Sequence, residues 1–364
     1  MKKLALVLLV LMVASSFGFA QTLIGIAMPE THVQRWVKDG NQLKAAAERR
    51  KYRAEAQWGN ADQAQQNQQI QSFLTQGAKA LIVGCVNDGV RSVIAEAARD
   101  KVVVIAYDRI INDSADYDYY ITFNNFKVGV LQAQSLETAL NLKRATKAAP
   151  KYITLFAGSP TDGNAFFFFD GAMSILNPYI DSGALVVVGP YPKTSADRAT
   201  FQQIATENWS GPIAKTRMEN LLNNAARSVT LDAVLSPNDT LARAIIEALK
   251  ADAKYRAKLP SVTGQDAEFA SMLSIKNGEQ YSTIFKDTGK LADAAILLAD
   301  QVLKNQNVRI PGAVLASGDL AKIGDTGRKV VKTFLLDPIL VTKSNIRVPV
   351  NAGFYEAAEA AQLK

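Results

Sequence analysis

One cysteine, Cys85, and one histidine, His32, are all that 364 residues contain of two side chains central to redox and metal chemistry. A single cysteine excludes disulfides within the chain, and with them the small cross-linked scaffolds of exported proteins. No Gly-rich phosphate loop of the required pattern occurs, so no nucleotide site is expected. The neighbouring acids Asp113, Asp116 and Asp118 lack the glycine and terminal glutamate of a calcium loop and read as a turn. No cofactor and no metal are expected. Beyond the N-terminus no segment approaches the roughly 20 apolar residues of a membrane-spanning helix. The net positive charge is mild: Lys2 and Lys3 supply two of the formal +7 and leave +5. The densest cluster, Arg49-Arg50-Lys51 with Arg53, reads as a solvated helix end where cations suit the dipole. Nucleic acid is not an expected partner.

What is present begins with an export signal. Lys2 and Lys3, the apolar stretch Leu4 to Ala14 and the small residues Gly18 and Ala20 form a secretory signal peptide over residues 1–20, cleaved after Ala20. The remaining 344 residues suffice for about two domains. Apolar runs alternate with helical patterns, as in βα units around parallel sheets. One series has strands at Leu23 to Met28, Ala54 to Gln57, Ala80 to Val83, Val102 to Ala106 and Tyr119 to Phe123. A second has strands at Tyr152 to Phe156, Leu185 to Val188, Ala233 to Leu235 and Ser261 to Thr263. A strand at Ser282 to Phe285 and a helix at Leu291 to Lys304 precede an irregular region, 305–326, and a last strand at Ile339 to Thr342. The fold class is α/β, with two doubly wound parallel-sheet lobes and a cleft between them.

The strand ends carry the chemistry. Open α/β sheets bind ligands beyond the carboxyl ends of their strands. There the sequence places an acceptor beside a donor, Asp108 and Arg109, after Val102 to Ala106. It places His32, Arg35 and Trp36 after the first strand and Gly158-Ser159-Pro160-Thr161-Asp162-Gly163-Asn164 after the sixth. Glu207-Asn208-Trp209, Pro237-Asn238-Asp239, Gly264-Gln265-Asp266 and Lys286-Asp287 follow the later strands. A ring of hydroxyls requires fixed donors and acceptors, and its C–H faces require flat apolar surfaces. Trp36 and one of Phe166 to Phe169 are the stacking candidates. Asn164 and Asn238 are also candidate helix caps.

These segments resemble the periplasmic sugar-binding proteins of transport systems, specifically the multiple-sugar-binding receptors and the xylose-binding proteins. The resemblance runs from about Ile24 to the C-terminus. It rests on Arg35-Trp36, Ala106-Tyr107-Asp108-Arg109, Gly158-Ser159-Pro160 through Asn164 to Met173, Gly264 to Glu268, and Tyr281 to Asp287. It implies the type I periplasmic binding protein fold, with three crossings between the lobes, placed near 127, 265 and 312–335. One lobe would comprise 21–127 and 266–312, the other 128–265 and 313–364. It also implies that Arg35, Asp108, Arg109, Asn164, Trp209, Asn238, Asp266 and Lys286 contact a monosaccharide on which Trp36 stacks. Aldoses such as xylose, glucose, galactose and arabinose are the expected ligands. The multiple-sugar receptors carry an aromatic residue where this chain has Asn238, whereas the xylose-binding proteins have the pair seen in Asn238-Asp239. Position 238 is therefore expected to decide whether a hexose hydroxymethyl group fits.

The implied receptor is a periplasmic monomer that closes on its sugar and presents it to an ABC permease, with a chemoreceptor or sensor kinase as a further partner. A sensor that feeds no transporter is one alternative. An exported enzyme acting on glycosides is another, with Asp108 and Asp266 as paired carboxylates. Against the enzyme, Arg109 beside Asp108 depresses its pKa and spoils a general acid. Replacing Arg109 by Ala is expected to abolish binding with little loss of stability.

Overall fold

The computed structural model describes residues 21–363, so the expected signal peptide lies outside the described residues. The chain opens with β1 (Leu23–Met28), α1 (Gln34–Arg49), β2 (Arg53–Trp58), α2 (Gln63–Thr75) and β3 (Ala80–Val83). It continues through α3 (Arg91–Arg99), β4 (Val103–Tyr107) and β5 (Tyr119–Phe123). Every residue of β1 and β3 is buried, as expected of parallel strands covered by helices on both faces. The Asp62 carboxylate starts α2 by accepting from the Ala64 and Gln65 amides. The glutamine-rich α2 then buries Gln66, Ile70 and Phe73, which makes it a polar-faced helix.

The second lobe contains α4 (Asn125–Ala139), β6 (Lys151–Leu155), α5 (Gly163–Asp181), β7 (Leu185–Val187) and α6 (Arg198–Ile204). There follow α7 (Gly211–Asn223), β8 (Ala233–Leu235), α8 (Asp239–Ala251), β9 (Ser261–Val262), α9 (Phe269–Asn277) and β10 (Ser282–Phe285). Helices α4 and α5 cross closely because each has a glycine at the contact. A methyl group on Gly129 would sit 1.8 Å from the Phe168 carbonyl, and one on Gly171 would sit 2.1 Å from that of Phe126. The chain ends with α10 (Thr288–Leu303), β11 (Val314–Leu315), β12 (Lys332–Leu336), β13 (Ile339–Thr342), α11 (Val348–Asn351) and α12 (Ala357–Gln362).

The first sheet has the order β11-β12-β5-β4-β3-β1-β2 and is parallel except for β11. The second has the order β7-β6-β8-β9, all parallel. The antiparallel pair β10-β13 extends it, tied to β9 by bonds from Tyr281 N to Val262 O and from Asp266 N to Ile284 O. The chain passes between lobes at Asn124, at Lys286–Asp287 and at Asp337–Pro338. Two of the expected crossings thus move. The second is not at 265, because β10 belongs with the second lobe: the Ser282 hydroxyl bonds Ser135 and the Thr283 hydroxyl bonds Asp239. The third lies beyond 312–335, because Lys332–Leu336 pairs in register with Tyr119–Phe123 of the first sheet. Residues 288–336 accordingly pack with the first lobe, where α10 lies on α1. The expected irregular region also contains β11 and a 3-10 turn at Gly318–Gly324.

Candidate functional site

The nine residues singled out in the sequence line one narrow cavity between the lobes. Arg35 and Trp36 lie on the first turn of α1. Asp108 and Arg109 follow β4, and Lys286 follows β10 at a crossing. From the second lobe come Asn164 near the start of α5, Trp209 in the 3-10 turn Glu207–Trp209, Asn238 capping α8, and Asp266 between β9 and α9. Left-handed backbone gathers here: φ is 61° at Asp108, 55° at Trp209 and 97° at Asp266. Such conformations cost free energy in residues with a side chain, and they cluster where function fixes geometry. Gly158 makes room for Trp209, since a methyl there would lie 2.1 Å from the indole.

Arg35 is the hub. Its guanidinium meets Asp39 at 2.8 Å, Asp108 at 3.3 Å and, across the cleft, Asp266 at 3.5 Å. Lys286 Nζ lies 3.0 Å from the same Asp266 oxygen. Burial pushes the Asp108 carboxyl up, but Arg35, Lys286 and Arg109 together outweigh it and hold the group below the ordinary aspartate value. Burial dominates at Asp39 and Asp162, which are raised despite the arginines beside them. Trp36 has Arg35 and Arg109 guanidinium carbons 4.7 and 5.0 Å from its ring centroid, so it orients both cations as well as walling the cavity.

Arg109 is committed to protein partners. It reaches Glu30 at 2.9 Å, the Cys85 carbonyl at 3.1 Å and, across the cleft, Asp162 at 3.0 Å. Asn164 likewise joins the lobes: its amide donates to the Asp108 carbonyl at 2.7 Å, and its oxygen accepts from Asn125 and Tyr120. It does not cap α5; Asp162 does, accepting from the Asn164 amide. Asn238 does cap α8, its oxygen accepting from Leu241 N at 3.0 Å, which leaves its side-chain NH₂ for the cavity. Of the four phenylalanines, Phe168 lines the cavity, edge-on to Trp209 at 6.4 Å, while Phe166 and Phe169 pack on Phe201.

Five buried polar atoms of the cavity-lining residues have no hydrogen-bond partner among the described residues: Arg35 Nε, Asp108 Oδ1, Trp209 Nε1, Gln265 Oε1 and Arg109 Nε, which meets Asp162 as an ion pair without hydrogen-bond geometry. Buried polar groups are almost always satisfied. Three donors, two acceptors and the Phe168 and Trp209 rings around one space suit a small, neutral, polyhydroxylated ligand. Among the described residues no three of His, Cys, Asp or Glu are grouped to hold a metal ion. Asp113 is instead paired with Arg91 and Arg328, and Asp118 with Lys329.

Sequence reasoning missed Glu30, Asp39 and Asp162 as parts of this electrostatic network. Glu30 was legible as another polar residue just beyond a strand, and Asp39 as the i+4 partner of Arg35. Asp162 lay in the loop already singled out, and only the three-dimensional approach of the lobes reveals its partner.

A two-lobed α/β protein with a polar site enclosed at its strand ends belongs among ligand receptors. The chain belongs to the periplasmic binding protein domain family, whose model matches residues 24–307. It is 40% identical over 349 residues to the multiple sugar-binding periplasmic receptor ChvE of Rhizobium radiobacter, covering 95% of this chain and 94% of that one. It is 36% identical over 328 residues to the D-xylose-binding periplasmic protein of Haemophilus influenzae, covering 90% and 88%. Among solved structures, an ABC transporter solute-binding protein from Clostridium phytofermentans with bound β-D-glucose superposes with a TM-score of 0.82. That pair shares 33% identity over 94% of this chain and 100% of the other. The family is one of binding proteins, so the protein is not an enzyme.

Proposed function

We propose that this protein is a periplasmic receptor that captures a monosaccharide, an aldose such as xylose, glucose, galactose or arabinose, between its lobes and delivers it to an ABC permease. The observation that carries the reading is the cavity itself, with unpartnered donors and acceptors from both lobes and the Phe168 and Trp209 rings of the second. The relatives named for several sugars, for D-xylose and with bound glucose support the same ligand class.

The lobes of this receptor are 21–123 with 288–336 and 125–285 with 339–363. Closure brings Arg35 to Asp266, Arg109 to Asp162 and Asn164 to Asp108. Asp108, Asp266, Lys286 and Asn238 supply hydrogen bonds to hydroxyls, and Trp209 and Phe168 face the C–H surfaces. Arg109 and Asn164 serve both as walls and as ties between the lobes. The permease reads the closed form.

Thermal melts with xylose, glucose, galactose, arabinose, ribose and fructose test the reading. A ligand that binds only the folded form raises the melting temperature with its concentration. At least one aldose is expected to do so; no shift with any of the six overturns the assignment.

A further inference from the structure

Away from the cavity a second contact joins the lobes, and nothing in the site accounts for it. Phe354 and Tyr355 follow α11 near the C-terminus. Phe354 packs on Phe285 with ring centroids 4.9 Å apart and on Tyr355 at 5.1 Å. It thereby joins the apolar cluster of Met272, Ile275 and Val341 and is fixed to the second lobe. The residue facing these rings comes from the first lobe. On α1, Lys38 holds its ammonium 3.3 Å from the Phe354 centroid and 5.4 Å from that of Tyr355, and donates to the Phe354 carbonyl.

This contact is mechanically linked to the site. Lys38 stands one turn after Arg35 on α1, and a helix is rigid over one turn. The Tyr355 hydroxyl donates to the carbonyl of Ala267, the neighbour of Asp266. The two segments that bring Arg35 to Asp266 therefore bring Lys38 to Phe354 in the same movement. The ammonium is partly withdrawn from water, and burial lowers its pKa against the pull of Glu359, Asp39, Asp287 and Glu356. A cation–π contact is stronger when desolvated than when exposed.

We propose that Lys38, Phe354 and Tyr355 form an outer clamp, a set of positioning residues that touch no ligand but hold the lobes closed and so set how long a ligand stays bound. The sugar reading above supplies only what is trapped; the clamp itself acts on closure. Loss of the clamp speeds opening and leaves the encounter between ligand and open cleft unchanged.

Stopped-flow tryptophan fluorescence on the mature chain, with D-glucose and D-xylose as probes, tests this. Lys38→Met is expected to raise the dissociation rate roughly tenfold without lowering the association rate. Lys38→Arg should restore slow release, since a guanidinium also sits over aromatic rings. Small-angle scattering without sugar provides a second readout, in which Lys38→Met should increase the mean radius of gyration. That readout stands even if neither sugar binds, which would remove the ligand reading and leave the clamp to be judged alone. If Lys38→Met disturbs folding, Tyr355→Leu replaces it with the same expectations. Unchanged dissociation and unchanged scattering would overturn the clamp, as would an Arg variant that releases ligand as fast as Met.

Discussion

Arg109 of one lobe and Asp162 of the other form a buried ion pair across the cleft, Nε to Oδ2 at 3.0 Å, with Glu30 on the far side of the same guanidinium. A guanidinium at the end of β4 thus acts first as a tie between lobes and an anchor for two acids. Removing it leaves Glu30 and Asp162 buried without their partner, and breaking a buried pair typically costs about 3–5 kcal/mol.

Arg109→Ala should therefore destabilise the fold by about that amount while abolishing ligand binding, contrary to the expectation of little loss from sequence alone. Urea denaturation of the two proteins checks this. A loss below about 1 kcal/mol would mean that the pair forms only when the lobes close.

Asn238→Ala separates capping from recognition. Loss of the side-chain bond to Leu241 N should cost about 1 kcal/mol of stability. The vacated volume should also favour a hexose, raising the affinity for D-glucose relative to D-xylose roughly tenfold. Parallel titrations with the two sugars give the ratio; an unchanged ratio removes position 238 as the selector.

Gly158→Ala probes the Trp209 wall without touching a polar group. The added methyl would lie 2.1 Å from the indole, so the ring must move. Overpacking of this kind costs about 1–3 kcal/mol. Tryptophan emission should shift in the free protein, and sugar affinity should fall by at least about tenfold. Unaltered emission and affinity would show that the indole has room to give.

Acid titration addresses Asp108. Its folded pKa is depressed, so its contribution to stability is complete above the unfolded value of about 3.9 and is lost as the pH falls through the lower folded value. The melting-temperature difference between the wild type and Asp108→Asn should be constant from about pH 5 to 8 and shrink below about pH 4. Asp39 and Asp162 act oppositely, because burial raises them: each favours the folded state in acid, and that contribution falls as the pH rises through the unfolded value towards the folded one. A difference that begins to shrink near neutral pH would contradict the cation cage around Asp108.

Most strands and helices were legible because buried parallel strands such as Leu81-Ile82-Val83 read as unbroken apolar runs and their helices as stripes. The strand Lys332–Leu336 was not, although Val331, Phe334, Leu335 and Leu336 are apolar. Its partner is β5, more than 200 residues earlier, and a pairing so distant in sequence leaves no local trace. The same non-locality displaced the lobe crossings. For the site, the strand-end rule and the family resemblance together named nine residues that line one cavity, but they were silent on which of their atoms face the space. Arg109 and Asn164 looked like free hydrogen-bonding groups; their partners, Asp162 and the Asp108 carbonyl, come from the opposite lobe. Asp39 shows the converse: its pairing with Arg35 follows a simple helical spacing and was readable.

The most direct test is isothermal titration calorimetry of the mature protein with D-glucose and D-xylose, alongside Asp266→Ala. The account predicts saturable binding of at least one sugar with a stoichiometry of one per chain. In the variant, where Arg35 and Lys286 lose their shared partner, binding should weaken at least about a hundredfold. Heat of dilution alone with both sugars, or an Asp266→Ala variant that binds as tightly as the wild type, would contradict it.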